Sequence, residues 1–151
     1  MNLSKINELK NKGKIIGFTA STFDLLHAGH VAMLSEARSK CDYLVVGLLT
    51  DPTHDREDSK NTPVQSILER WLQLQALSYV DAIIPFDDEK DLEDLLLLLM
   101  PNVRFVGEEY RDIEHTGKHI QGIEIVYNER KHSFSSSGLR KRVHQGETNE
   151  N

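Results

Sequence analysis

The run Asp42-Tyr43-Leu44-Val45-Val46-Gly47-Leu48-Leu49 does most to restrict the folds open to this chain. It is apolar almost without a break and shows no polar alternation. Such a run suits a parallel strand covered on both faces, and parallel strands need long crossovers between them, usually helices. Shorter strand-like runs fall at Lys14 to Ala20, Asp81 to Pro85, Asn102 to Val106 and Gly122 to Tyr127. Helical spacing fills the intervals: residues 3–11, about 28–40, about 62–78, 88–100, and a last helix from Ser135. The alternation predicts an α/β, Rossmann-like single domain, a five-stranded parallel sheet with helices on both faces. A leading helix within residues 1–13 packs on a main domain over 14–144, and a tail over 145–151 is expected to be disordered. A chain of 151 residues is long enough for one such domain with a real core.

Composition narrows the partners. The formal net charge of −6 argues against broad nucleic-acid binding. Acid collects between Asp87 and Asp94, while base collects at Arg130, Lys131, Arg140, Lys141 and Arg142, a distribution that fits a small anionic ligand better than a polymer. No run approaches the roughly 18 apolar residues of a membrane span. The start, Met1-Asn2-Leu3-Ser4-Lys5, has no apolar signal core, and a cytoplasmic protein is expected. The single cysteine, Cys41, excludes an intrachain disulfide and a cysteine-based zinc site and suits a small packing residue. Trp71 falls in the apolar set of its helix and suits the core. The segment Leu95 to Met100 is apolar all round, which fits either deep core or a subunit contact, and a homodimer is expected.

The chemistry concentrates where the first strand turns into the first long helix. Thr19-Ala20-Ser21-Thr22-Phe23-Asp24-Leu25-Leu26-His27-Ala28-Gly29-His30 places two imidazoles, a glycine and several small hydroxyl residues at that junction. Free N–H groups and the dipole of a helix start favour an anion there, and Gly29 lets a phosphate approach the backbone. A His-x-x-His pair with no nearby third ligand is a poor zinc signature, so no protein metal site is expected. Loops after successive parallel strands should meet at the carboxyl edge of the sheet, where strand order reverses.

Ser21 to His30 resembles the first signature of the cytidylyltransferase-like nucleotidyltransferases, in which both histidines of a His-x-Gly-His motif contact nucleotide phosphates. The second signature of that superfamily, near the C-terminus, resembles Phe134-Ser135-Ser136-Ser137-Gly138-Leu139-Arg140. Within it the chain looks most like glycerol-3-phosphate cytidylyltransferase. The resemblance rests on Thr22 to His27, Asp42 to Val46, Glu69-Arg70, Val106-Gly107-Glu108-Glu109-Tyr110, Arg130, and Lys60 in the loop after the second strand. It departs from that family at Ser21, where glycine is usual, and at Lys131, Ser133 and Phe134, which stand for Thr, Gly and Ile. Tyr110 to Lys118 is more similar to sugar-phosphate adenylyltransferases that make nucleotide-activated heptose.

The resemblance implies transfer of CMP from CTP to a small phosphorylated alcohol, glycerol 3-phosphate first, with release of pyrophosphate. Its alternative is adenylyl transfer to a sugar phosphate or another phosphomonoester, and a third reading, placed last, is a nucleotide-binding regulator without catalysis. His27, His30, Lys60 and Arg130 are the implied catalytic residues. Thr19, Ala20, Ser21, Thr22, Phe23, Gly29, Gly107, Glu109, Ser135, Ser136, Ser137 and Arg140 are the implied nucleotide contacts, with Glu109 meeting ribose or base or standing solvated. Asp24 either orients a turn or binds substrate or metal indirectly, and Arg70 either holds substrate phosphate or joins a surface ion pair. Mg2+ is expected with the triphosphate, bound mainly through its phosphates.

Overall fold

The computed structural model describes residues 2–56, 58 and 60–147. The elements are α1 (Leu3–Asn11), β1 (Ile16–Ser21), α2 (Ala28–Ser39), β2 (Tyr43–Leu49), α3 (Ile67–Gln75), β3 (Ala82–Phe86), α4 (Glu89–Leu99), β4 (Val103–Gly107), β5 (Glu124–Asn128) and α5 (Ser136–Gly146). A single 3-10 turn, Glu108–Tyr110, follows β4. All strand pairs are parallel and their order is β3-β2-β1-β4-β5. The chain therefore builds outward from β1 through β2 to β3, then returns to β1's other side as β4. Order reverses between β1 and β4, and the loops leaving those two strands frame a crevice.

Burial on both faces explains the unbroken apolar runs. On one face Leu34 and Ala37 of α2 and Leu74 of α3 pack on Leu44, Val46, Val103 and Phe105. On the other, Ile6 of α1 and Leu92, Leu95, Leu96 and Leu99 of α4 pack on Ile16, Phe18 and Val45. Alternate residues of β2 thus serve opposite cores. Cys41 lies over Gly17, where an added Cβ would stand 2.6 Å from its Sγ, and burial pushes its thiol pKa up. Trp71 is partly buried against the first core. The apolar end of α4 divides: Leu95, Leu96 and Leu99 are buried, whereas Leu97 and Leu98 are exposed.

Two boundaries differ from the sequence expectation. Helix α3 starts at Ile67, capped by Ser66, and not at Thr62-Pro63. Ser66 and Glu69 form a reciprocal capping box, and the N–H groups of Val64 and Gln65 donate to the Asp24 carboxylate, which keeps that stretch out of the helix. At the other end α5 continues through Gln145 to Gly146, into the segment expected to be disordered. Residues 148–151 of that segment lie outside the described residues. Among the described residues no helix is long and apolar enough to cross a membrane.

Candidate active site

A cleft of about 1340 Å³ opens at the carboxyl edge of the sheet. It is lined by Thr19 to Asp24, His27, Gly29, His30, Lys60, Gly107, Glu109, Arg130, Ser135 to Ser137 and Arg140. Every residue implied for the site is present there except Arg70.

The two histidines are fixed by the backbone they cap. His27 is the N-cap of α2, and its Nδ1 accepts the Gly29 N–H at 3.0 Å. Nδ1 of His30 accepts the His27 N–H at 3.2 Å. With both Nδ1 atoms accepting, the proton of each neutral ring sits on Nε2 and points away from the helix backbone. The rings stack with centroids 3.8 Å apart. Burial foremost, with the neighbouring His27 ring second, pushes His30 down to about 4. Burial, then the charges of His132 and Arg130, lowers His27. Both are therefore neutral Nε2–H donors near pH 7.

The second signature meets the first at this point. His27 Nε2 lies 3.2 Å from Ser136 Oγ, and Ser136 Oγ donates to the Asp24 carbonyl at 3.4 Å. Ser135 caps α5 by accepting the Gly138 N–H at 2.9 Å. The N-termini of α2 and α5 are thus brought together at one end of the cleft, and both present free N–H groups to an anion.

Two sequence-derived roles, those of Arg70 and of the Thr19 hydroxyl, are corrected by this geometry, and of the two roles left open for Asp24 it supports the orienting of a turn. Arg70 is 2% exposed and is spent on the backbone. Its Nε donates to Gln65 O, and its terminal nitrogens donate to Thr22 O, Leu49 O and Thr50 O at 2.7–2.9 Å. It holds neither a substrate phosphate nor a surface ion pair; it fastens the ends of β1 and β2 to the start of α3. Asp24 is 6% exposed, and its carboxylate is committed to protein donors. Its Oδ1 accepts Gln65 N–H at 2.9 Å, and its Oδ2 accepts Val64 N–H at 2.8 Å and Arg140 at 2.7 Å. Burial works against ionisation, but those three donors outweigh it and hold the carboxyl below its ordinary value. The Thr19 hydroxyl is also committed, donating to Phe105 O at 3.3 Å across β1 and β4.

The loop joining β1 to α2 is held in an uncommon shape. Phe23 and Leu25 have φ of +51° and +52°, in the left-handed region that side chains other than glycine seldom enter. Phe23 is anchored in the core at 1% exposure, and the Leu25 N–H donates to Gln65 Oε1 at 2.8 Å. Gly29 is required for a reason additional to phosphate approach. A Cβ there would lie 2.8 Å from His132 Cε1 and 2.9 Å from His27 Cε1.

Sequence reasoning passed over four residues that line the cleft: Arg104, His115, Asn128 and His132. Arg104 is 7% exposed and donates to Thr116 O. Among the described residues it has no carboxylate within ion-pair distance. An arginine inside the apolar run Val103 to Val106 was a signal available to be read. His115 Nε2 meets Tyr127 Oη at 3.0 Å. Around Arg104, Glu89 accepts from the Thr116 hydroxyl and from Arg56, whose Nη2 is 3.4 Å from Oε1. Lys60 stands exposed on the β2–α3 loop, and Arg130 donates to Phe134 O beside the serine run.

Comparison with known proteins matches residues 18–142 to the cytidylyltransferase-like family model. Relatives include the bifunctional protein HldE of Campylobacter concisus (strain 13826), 36% identical over 93% of this chain and 29% of that protein. HldE of Caulobacter vibrioides is 37% identical over 85% of this chain and 27% of that protein. The chain thus spans under a third of the length of these relatives. Among solved structures, a lipopolysaccharide core biosynthesis protein from Thermoplasma volcanium aligns with TM-score 0.56 at 21% identity, covering 88% of each chain. Pantothenate synthetase from Thermus thermophilus aligns with TM-score 0.52 at 19% identity, covering 82% of this chain and 59% of the other. These two share the fold.

Proposed function

The chain belongs to the cytidylyltransferase-like family of nucleotidyltransferases, and from that premise we propose that it transfers a nucleoside monophosphate, AMP from ATP first, to a sugar phosphate, releasing pyrophosphate. The observation that carries the transfer chemistry is the 3.2 Å contact between His27 Nε2 and Ser136 Oγ, which joins the two phosphate-binding signatures. The choice of a sugar phosphate with ATP is supported by the HldE relatives and by the heptose-type segment Tyr110 to Lys118.

An oxygen of the acceptor's phosphate attacks the α-phosphorus in line. The new O–P bond forms as the bond from the α-phosphorus to the bridging oxygen breaks, and pyrophosphate departs with that electron pair. The attacking phosphate is ionised near neutral pH, so no general base is required. The task of the protein is to bring two polyanions together and to stabilise charge that grows on the phosphate oxygens. Nε2–H of His27 and His30 supply neutral donors, Ser135 to Ser137 and the start of α5 hold the outer phosphates, and Lys60 and Arg130 bring charge. Arg56 and Arg104 add positive charge to the lining of the same cleft. Mg2+ would be carried by the triphosphate, held mainly through phosphate oxygens and water, and would neutralise part of its charge. Among the described residues Asp24 is the buried carboxylate of the cleft, and it is committed to Val64, Gln65 and Arg140.

A second reading, CMP transfer from CTP to glycerol 3-phosphate, is favoured by Arg130, which stands in the cleft just before the serine run, where that family carries an arginine. One assay separates the two. Pyrophosphate release is measured with each of ATP, CTP, GTP and UTP against hexose and heptose phosphates and glycerol 3-phosphate. Release with ATP and a sugar phosphate supports the first reading, release with CTP and glycerol 3-phosphate the second, and release with no pair refutes both.

A further inference from the structure

We infer that Asn128 reads the amino group of the nucleobase and so sets which nucleotide the enzyme accepts. The inference rests on the nucleotidyl-transfer reading above and goes beyond it. Asn128 ends β5, lines the cleft and is 8% exposed. Its Oδ1 is buried without a hydrogen-bond partner among the described residues. A buried acceptor left unpaired is costly, on the order of 1–3 kcal/mol, and native proteins seldom retain one without use.

The chemistry of the ligands selects the partner. Phosphate groups at neutral pH chiefly accept hydrogen bonds, and the cleft's donors, His27, His30 and the helix starts, already suit them. Oδ1 calls for a donor. Adenine and cytosine each carry an exocyclic amine with two hydrogens. In register, Asn128 pairs with Gly107 of β4. The Glu109 carboxylate folds over that glycine, its oxygens 2.5 and 2.7 Å from where a Cβ would stand. Asn128 and the Glu109 carboxylate are therefore both neighbours of one strand end that lacks a side chain. A flat amino-bearing ring edge fits that arrangement, whereas an edge carrying a carbonyl in the same place sets oxygen against oxygen.

The test is nucleotide binding by titration calorimetry, with steady-state rates alongside, using the pairs ATP and ITP, and CTP and UTP. Each pair exchanges the exocyclic amine for a carbonyl, and the adjacent ring nitrogen gains a hydrogen. Wild type is expected to bind the preferred amino nucleotide at least tenfold more tightly than its oxo counterpart. Asn128→Leu should bring the two to within about threefold, by weakening the amino nucleotide, with the acceptor's KM unchanged. Asn128→Asp, which keeps an acceptor oxygen, should retain the preference. Thermal melts establish that the variants fold. Undiminished discrimination in folded Asn128→Leu overturns the inference and leaves the transfer reading intact. So does loss of discrimination against 2′-deoxy nucleotides in place of base discrimination, which would assign Asn128 to the ribose. A wild type that binds no nucleotide overturns both.

Discussion

Arg140 donates to Asp24 Oδ2 at 2.7 Å and so ties the last helix to the loop after the first strand. The same carboxylate receives the backbone of Val64 and Gln65 ahead of α3. Three segments distant in sequence are therefore joined beneath the phosphate end of the cleft by one buried side chain.

Removing that carboxylate should loosen all three. Asp24→Ala is expected to destabilise the fold by about 3 kcal/mol, because two N–H groups and a guanidinium lose their acceptor. Asp24→Asn, which keeps one acceptor oxygen, should cost less. Urea unfolding measures both, and an unchanged midpoint in Asp24→Ala would contradict this assignment.

Arg70→Met should unfold the protein more readily, by about 3–5 kcal/mol, since it leaves buried carbonyls at Thr22, Leu49, Thr50 and Gln65 without a donor. A variant of normal stability whose only defect is a raised KM for acceptor would mean that Arg70 serves the ligand instead.

His27 both caps α2 and faces the phosphates, and the two duties are separable. Asn is a good N-cap. His27→Asn should keep a melting temperature close to wild type yet lower turnover about 100- to 1000-fold, through loss of the Nε2 donor. Pyrophosphate release by a folded variant at near wild-type rate would remove His27 from the mechanism.

Lys60 makes a cleaner test, because its side chain is exposed and outside both cores. Lys60→Ala should reduce kcat/KM about tenfold or more while leaving thermal stability unaltered. A shifted melting temperature would show that the loop carries structure as well.

The depressed pKa of His30 makes stability depend on pH. A base whose folded pKa, about 4, lies below the 6.5 of the free side chain binds its proton more readily when unfolded. The stabilisation is fully present above pH 6.5 and is lost as pH falls from there toward 4, by about 3 kcal/mol at most. Denaturation between pH 7.5 and 4.5 should show this slope, and His30→Gln should reduce it, leaving the part that comes from His27 and His115, whose pKa values burial also lowers. An equal slope in both proteins would place the titration elsewhere. Asp24, with a lowered carboxyl pKa, adds a further loss only as pH falls below its ordinary value of 3.8.

Periodicity sufficed to locate every strand and helix to within a few residues, because burial on both faces leaves an unmistakable apolar run. It misplaced the start of α3, since Thr62-Pro63 is as good a local start as Ser66. The choice between them was made by Asp24, forty residues upstream. The same limit applies to the site. His27, His30 and the serine run announce themselves by motif, whereas the duties of Asp24 and Arg70 depend on which groups the fold presents to them. Charged residues beside a signature invite a ligand role, and here the nearest demand came from unpaired backbone. Arg104 and Asn128 were passed over for the opposite reason, Arg104 being a lone charge in an apolar strand and Asn128 a strand-end residue that merges with the polar run Glu129 to Lys131.

The left-handed backbone at Phe23 and Leu25 has a consequence for how ligands arrive. A loop clamped by a core aromatic, by Gln65 and by Arg70 takes its form as the chain folds, not when the nucleotide binds. Little ordering is left for the encounter, so the triphosphate meets a socket whose shape is set before it arrives.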